Sequence, residues 1–124
     1  MSLLLDTHIY LWWLDSQLSR EAHRLILESP DVFISAASLW EVGIKVSIGK
    51  LSVDLEAVAS VEADGFQELP ISVAHARYAA SLPLHHRDPF DRMLVAQARL
   101  EGLTLVTADK RLSDYGGALH LVKR

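Results

Sequence analysis

The chain has 124 residues, of which half are hydrophobic and 23% are charged, a composition typical of a folded globular protein. It contains no cysteine, which excludes disulfides, thiolate nucleophiles and cysteine-ligated zinc and fits a reducing, cytoplasmic location. The net charge of −4 argues against a protein that coats nucleic acid through bulk positive charge, but it leaves a nuclease open. The length predicts a single domain over residues 1–124. Because Asp6 and His8 interrupt the apolar amino terminus, neither a signal peptide nor a membrane span is expected.

Strands and helices alternate along the chain. Residues 3–5 are three leucines, which predicts a strand buried on both faces at the centre of a parallel sheet. Further strands are predicted at residues 32–34, 68–71, 103–107 and 118–122. Helices are predicted at about residues 9–14, 20–28, 36–48, 53–63, 73–82, 89–101 and 110–115. This alternation with short turns predicts the α/β class, with an α/β/α sandwich on a mostly parallel sheet.

Residues typical of helix ends support several of these bounds. Ser19 and Ser72 precede predicted helices and are good N-terminal caps. Asp88 followed by Pro89 is a strong start signal, and the helix it opens stops at Gly102.

Four acidic residues fall where a predicted strand ends or a helix begins. Asp6 follows the first strand, and Asp109 follows the fourth. Glu41 lies near the second turn of one helix, and Asp91 lies in the first turn of another. These positions share one edge of a parallel sheet, so the carboxylates could meet in one crevice. Gathered carboxylates repel one another unless a cation neutralises them, and oxygen ligands without cysteine suit Mg²⁺ or Mn²⁺.

Three of these carboxylates also have a purely structural explanation. Asp6 and Asp109 could be helix N-caps that accept hydrogen bonds from free backbone N–H groups. Asp91 could be favoured in a first turn by the helix dipole. Spacing alone leaves the structural and the functional explanations open.

Glu41 and the nearby cations have two explanations as well. Ser38 and Glu41 have the spacing of a capping box, and Glu41 with Lys45 has that of an i,i+4 ion pair. Other basic residues flank the inferred cleft and could contact phosphates or form a solvated surface. They are His85, His86, Arg87, Arg92, Lys110 and Arg111.

Four blocks occur in order along nearly the whole chain: residues 3–8 (LLLDTH), 35–42 (SAASLWEV), 86–98 (HRDPFDRMLVAQA) and 105–109 (LVTAD). In content and spacing they resemble the successive blocks of PIN-domain proteins. The resemblance is greatest to the VapC-like toxin branch of bacterial type II toxin–antitoxin pairs.

The resemblance implies a Mg²⁺-dependent endoribonuclease, with Mn²⁺ as an alternative ion, that hydrolyses RNA phosphodiester bonds. It further implies a cytoplasmic homodimer, away from membranes, that a cognate antitoxin neutralises. The implied catalytic and metal-binding residues are Asp6, Glu41, Asp91 and Asp109.

Within this set, the resemblance makes Asp6 and Asp91 the best direct metal ligands. Asp88 is a second acidic candidate in the third block, although it is more typical of a helix cap. Thr7 and Thr107 are candidates for hydroxyls that support the ligands. His8 is expected to be structural or peripheral.

Three other functions fit parts of the pattern. An aspartate-based phosphatase also carries an Asp after its first strand, but it expects a second Asp two residues later, where this chain has His8. A phospho-receiver expects its Asp near mid-chain at a strand end, whereas Asp54 and Asp64 fall in or beside a helix. A catalytically silent PIN-like module that binds RNA or protein is the third alternative. The presence of all four acids argues against it.

Overall fold

A parallel sheet forms the centre of the molecule. The structure, a computed structural model, describes residues 1–85 and 87–124. Within that part of the chain, five strands line up in the order β3-β2-β1-β4-β5, and all neighbours are parallel. The strands are β1 Leu3–Leu5, β2 Val32–Ser35, β3 Gln67–Leu69, β4 Thr104–Thr107 and β5 Leu119–Leu121. The predicted parallel α/β architecture is therefore confirmed.

Helices connect the strands. In the described residues they are α1 Thr7–Leu14, α2 Arg20–Glu28, α3 Ala36–Ser47, α4 Leu55–Ala59, α5 Val73–Ser81 and α6 Pro89–Glu101, with short 3-10 helices at Val61–Asp64 and Lys110–Tyr115. The predicted caps are confirmed, because the side chains of Ser19, Ser72 and Asp88 each accept a hydrogen bond from the first turn of α2, α5 and α6. No helix formed by the described residues is long and apolar enough to cross a membrane.

The helices bury both faces of β1. Leu3 and Leu5 pack in a core with residues of α1, α2 and α3, whereas Leu4 points into a second core with residues of α5 and α6. All three leucines are 0% exposed. Burying each leucine is worth about 1.5–3 kcal/mol, so the apolar run holds the strand at the centre of the sheet.

The strand order reverses direction next to β1. The chain adds β2 and β3 on one side of β1 and then returns to add β4 and β5 on the other. In open parallel sheets, the crevice at the carboxyl ends of the two strands flanking such a reversal is where ligands bind. The reversal therefore places the ends of β1 and β4, at Leu5 and Thr107, at the position where sheets of this kind bind ligands.

The prediction of one continuous helix over residues 53–63 is wrong. The side chain of Asp54 accepts a hydrogen bond from the N–H of Glu56 at 3.0 Å, which begins α4 later, at Leu55. The hydroxyl of Ser60 donates to the carbonyl of Glu56 at 2.7 Å and ends α4, after which the chain tightens into a 3-10 helix. Short polar side chains that compete for backbone groups thus interrupt a segment whose apolar periodicity is helical.

The predicted strand at residues 68–71 lies earlier in the structure, at Gln67–Leu69. Pro70 cannot donate a ladder hydrogen bond, so the strand ends before it. The carbonyl of Pro70 instead accepts a hydrogen bond from the side chain of Gln97 at 3.3 Å.

Candidate active site

Asp6 lies at the reversal of strand order, directly after β1. Its Oδ1 accepts a hydrogen bond from the N–H of Ile9 at 3.0 Å, so Asp6 is the N-cap of α1. Its Oδ2 accepts a hydrogen bond from the hydroxyl of Thr107 at the end of β4. The residue is only 5% exposed, and this burial raises the pKa of its carboxyl group against the opposing effect of the two hydrogen bonds. Asp6 therefore caps α1 and also lies at the position after β1 that the sequence predicts for a metal ligand.

Thr107 links the acids that follow the two central strands. While its hydroxyl donates to Asp6, its Oγ1 accepts a hydrogen bond from the backbone N–H of Asp109 at 3.1 Å. Thr107 is 0% exposed, and its bond to Asp6 is buried, whereas its bond from Asp109 is partly buried. This contact agrees with the supporting position expected for the hydroxyl.

Asp109 is the N-cap of the second 3-10 helix and also holds an arginine. Its Oδ1 accepts from the backbone N–H of Arg111 at 2.9 Å and from Nε of the same residue at 3.0 Å. Its Oδ2 accepts from Nη2 of Arg111 at 2.9 Å. These bonds raise the pKa of the Arg111 guanidinium. Arg111, considered a possible phosphate contact, thus forms an ion pair with one of the four predicted acids.

Glu41 lies in the second turn of α3 with a side chain that is almost entirely buried. The residue is 3% exposed. Its Oε2 accepts a hydrogen bond from Nζ of Lys45 at 2.8 Å, which confirms the predicted i,i+4 ion pair. Its Oε1 is buried and has no hydrogen-bond partner among the described residues. A buried carboxylate oxygen without a donor is costly, by about 1–3 kcal/mol.

The predicted capping box of Ser38 and Glu41 is wrong. The N-cap of α3 is Ser35, whose Oγ accepts from the N–H of Ala37 at 3.0 Å. Ser38 lies inside the helix, where its Oγ accepts a hydrogen bond from the hydroxyl of Thr7 at 2.9 Å. This buried bond fastens α3 to the start of α1, next to Asp6.

Asp91 lies in the first turn of α6, and Asp88 is the N-cap of that helix. Oδ1 of Asp88 accepts hydrogen bonds from the N–H groups of Phe90 at 2.8 Å and Asp91 at 3.4 Å, so Asp88 has the capping position predicted for it. The pKa of Asp91 is raised from 3.8 to about 7, first by burial and then by repulsion from neighbouring carboxylates. In decreasing order of effect, those neighbours are Asp88, Asp6, Glu41 and Asp109.

The charges of the predicted acids thus all affect one carboxyl group, that of Asp91. The residues of this acidic cluster are Asp6, Glu41, Asp88, Asp91 and Asp109. The charges of the other four all disfavour ionisation of Asp91, which a bound cation would reverse.

The donor set of the cluster fits a hard divalent cation. Within residues 1–85 and 87–124, no three His, Cys, Asp or Glu side chains stand close enough together to enclose a metal ion. Mg²⁺ does not require such a cage, because it keeps several waters and is held by one or two carboxylates. The buried, unpartnered Oε1 of Glu41 and the repulsion on Asp91 are both features that a cation would stabilise.

The basic residues near the inferred cleft differ in their contacts, and Arg92 has a structural role that the sequence does not reveal. Nη2 of Arg92 donates to the carbonyls of Ala79 at 2.9 Å and Leu82 at 3.0 Å, at the end of α5, rather than facing solvent. His8, expected to be peripheral, is exposed, and its charge lowers the pKa of Asp6. Arg87 and Lys110 are exposed, and His85 packs its ring edge-on against Tyr115, whereas His86 lies outside the described residues.

Comparison with known proteins finds similarity over nearly the whole chain. The family model described as the PIN domain matches residues 3–118. Ribonuclease VapC22 of Mycobacterium tuberculosis is 27% identical over 119 residues, which are 92% of this chain and 92% of that protein.

Solved structures of similar fold include proteins from several bacteria. VapBC2 from Rickettsia felis, bound to a DNA fragment from its promoter, matches with a TM-score of 0.77 and 17% identity over 99% of this chain and 100% of that one. DNA-bound VapBC from Salmonella typhimurium matches with a TM-score of 0.69 and 18% identity over 98% and 96% of the two chains. These matches extend over nearly the whole chain and agree with the parallel sheet described above.

Proposed function

We propose, given that this chain belongs to the PIN-domain family, that it is a VapC-type endoribonuclease, the toxin of a toxin–antitoxin pair. The match to the PIN-domain model over residues 3–118 includes every member of the acidic cluster, and the similarity to ribonuclease VapC22 extends over 92% of both chains. The activity is hydrolysis of RNA phosphodiester bonds.

We assign the chemistry to four residues of the acidic cluster: Asp6, Glu41, Asp91 and Asp109. Asp6 and Asp91 would hold Mg²⁺, or Mn²⁺ in its place, and Glu41 and Asp109 would complete the site directly or through water. The observation that carries this proposal is the raised pKa of Asp91, which burial and then repulsion from neighbouring carboxylates, including each of the other three, produce. When bound, Mg²⁺ supplies Lewis-acid stabilisation at the phosphate and lowers the pKa of water.

Hydrogen bonds and burial fix the position and strengthen the charge interactions of the acids at this site. Thr107 and the N–H of Ile9 hold the two oxygens of Asp6 in place. Burial keeps water from screening the acids, so their charges act strongly on a cation. With a pKa of about 7, Asp91 holds its proton about half of the time at neutral pH until a cation takes the place of that proton.

We further propose that the substrate is RNA, that a cognate antitoxin binds the chain, and that the protein is a cytoplasmic homodimer. The support for the antitoxin is that similar folds are found in toxin–antitoxin complexes, such as the one from Klebsiella pneumoniae. Support for protein partners comes from α3, which exposes 63% of Trp40 and 59% of Ile48. A contiguous patch of exposed apolar side chains marks a surface that another protein covers, and we propose that Trp40 and Ile48 belong to such a patch.

The nuclease proposal is tested with purified protein and RNA in the presence of Mg²⁺. We expect Asp6→Asn and Asp91→Asn each to abolish cleavage, because each removes a negative charge from the cluster, and we expect EDTA to abolish the cleavage by the wild type. The matched control is Asp114→Asn, which makes the same change at an exposed position in the second 3-10 helix and should leave cleavage intact. Full activity in both cluster variants, or activity that survives EDTA, would contradict the proposal.

The toxin proposal is tested separately in cells. The chain is expressed with and without the open reading frame that neighbours its gene. We expect growth arrest only when the neighbour is absent, and no arrest by the Asp6→Asn variant in either case. Growth that is unaffected by the wild-type chain would contradict a toxin role without contradicting the nuclease.

A further inference from the structure

The ion pair between Glu41 and Lys45 differs from an ordinary pair on a helix surface. The carboxylate side chain is 4% exposed and that of the lysine 35%, so the lysine reaches from the solvent-facing side of α3 into a buried acid. The distance of 2.8 Å between Nζ and Oε2 is that of a charge-assisted hydrogen bond. In an exposed i,i+4 pair, both carboxylate oxygens remain accessible to water. In this pair, one carboxylate oxygen accepts a hydrogen bond from the lysine, and the other is buried.

The two oxygens of Glu41 therefore have different environments. Oε2 is bonded to the ammonium group, and Oε1 is without a hydrogen-bond partner in the described part of the chain. The terminal torsion of a glutamate is broad and permits many orientations of the carboxylate. Its bond to Lys45 selects among them, because a rotation of the carboxylate would carry Oε2 away from Nζ.

Glu41 also belongs to the acidic cluster by its charge. Its carboxylate disfavours ionisation of both Asp6 and Asp91, so its negative charge acts on the region where those two acids lie. The oxygen left without a donor is thus part of a buried acid that already acts on the proposed metal ligands.

We propose that Lys45 is a positioning residue for the metal site, which holds Oε2 of Glu41 so that Oε1 is presented to the divalent cation or to its bound water. This inference rests on the proposed function, because it takes the acidic cluster to be the cation site. Lys45 contacts neither the cation nor the RNA in this role. It acts by fixing the orientation of a ligand, as groups that hydrogen-bond to metal ligands do elsewhere.

Positioning and simple electrostatics predict opposite effects when Lys45 is removed. A lysine beside the site repels a divalent cation, so loss of its charge alone would tighten metal binding. Loss of an orienting group weakens binding, by about 10- to 100-fold where such groups have been removed from metal sites. The direction of the change in affinity therefore separates the two roles.

The experiment is a titration of the purified chain with Mn²⁺ in the absence of RNA, with free ion followed by electron paramagnetic resonance and Mg²⁺ as a competitor. We expect Lys45→Met to weaken Mn²⁺ binding about tenfold and Lys45→Arg to restore most of the affinity, since arginine also donates to a carboxylate. The matched control is Lys50→Met, which removes the same charge at an exposed position just past the end of α3. It should leave binding unchanged or slightly tighter.

A double substitution tests whether the effect runs through Glu41. In a Glu41→Gln background, the further change Lys45→Met should alter Mn²⁺ affinity little, because the carboxylate that Lys45 orients is gone. Circular dichroism checks that each variant is folded, and Lys45→Gln takes the place of Lys45→Met if the latter is not.

The outcomes separate this inference from the proposed function. If the wild type binds no Mn²⁺ or Mg²⁺, the metal site itself is contradicted, and the inference with it. If the wild type binds but Lys45→Met binds equally well or more tightly, or if Lys50→Met weakens binding as much, Lys45 is not a positioning residue, and the metal site stands.

Discussion

At the residue scale, helix capping and the proposed metal binding, which the sequence leaves as alternatives for Asp6 and Asp109, are compatible in one side chain. Asp6, Asp88 and Asp109 each cap the N-terminus of a helix with one carboxylate oxygen, Oδ1. A carboxylate has two oxygens and about four acceptor sites, so a capping bond leaves capacity for a cation. The partial positive charge of a helix N-terminus also stabilises an acid held there. Capping therefore helps to fix the positions of these acids at the edge of the sheet.

Asp91 provides a prediction about pH. Its pKa is about 7 in the folded chain and near 3.8 in the unfolded one, so the folded state binds the proton more tightly. Stability is consequently lost as pH rises from 3.8 toward 7, and it stays at the lower level above that range. Because Asn carries no charge, the melting temperature of Asp91→Asn in EDTA, relative to wild type, should rise by a few degrees between about pH 5 and about pH 8.

Differential scanning calorimetry across that pH range measures the difference. Asp114→Asn, at an exposed position, is the matched control for loss of one negative charge. A difference between Asp91→Asn and wild type that stays constant with pH would show that Asp91 is not destabilised in its charged form.

At the scale of elements, a buried polar side chain fastens the helices that carry Glu41 and Asp91. Gln97 of α6 is 0% exposed. Its Oε1 accepts a hydrogen bond from the hydroxyl of Ser35, the N-cap of α3, at 2.6 Å, and its Nε2 donates to the carbonyl of Pro70. One side chain thus ties α6 to the end of β2 and to the segment after β3, which fixes how α3 and α6 meet.

We predict that Gln97→Met destabilises the fold by about 2 kcal/mol, because it keeps the side-chain length but leaves the buried Ser35 hydroxyl without its acceptor. Urea denaturation measures the change as a lower midpoint with an unchanged slope. Gln17→Met, at an exposed position, is the control and should change stability by less than about 0.5 kcal/mol. Equal stability of the two variants would mean that the buried hydrogen bonds do not fasten the helices.

At the scale of the whole molecule, the acidic cluster joins parts of the chain that are far apart in sequence. Its members come from the ends of β1 and β4, from the second turn of α3, and from the N-cap and first turn of α6. In the absence of a cation, their mutual repulsion opposes the packing of these elements at one edge of the sheet. A cation bound there would hold the same elements together.

We therefore predict that Mg²⁺ stabilises the entire fold. At a hundredfold excess over its dissociation constant, the ion should add about 2.7 kcal/mol and raise the melting temperature by about 10 °C. The same concentration should have little effect on Asp6→Asn. NaCl at matched ionic strength is the control, because general screening also relieves repulsion. If NaCl raises the melting temperature of the wild type as much as Mg²⁺ does, no specific site is filled.

The sequence by itself determined the elements whose signals are local. Three consecutive leucines are buried on both faces of a central strand, and Ser19, Ser72 and Asp88 begin helices, because a cap bonds to groups only two or three residues away. Strand ends and helix starts share one edge of a parallel sheet, so the predicted topology indicated that Asp6, Glu41, Asp91 and Asp109 could meet in one region.

Only the tertiary structure decided which groups these side chains meet. The hydroxyl of Thr107 reaches Asp6 across 101 positions of the chain, and three of the four charges that raise the pKa of Asp91 come from distant segments of the chain. Lys45 shows the same limit: its spacing from Glu41 predicted an ion pair, but the burial that leaves Oε1 without a donor depends on packing around α3. Burial and long-range contacts arise from how elements pack, which no local pattern records, and they determine what a carboxylate can bind.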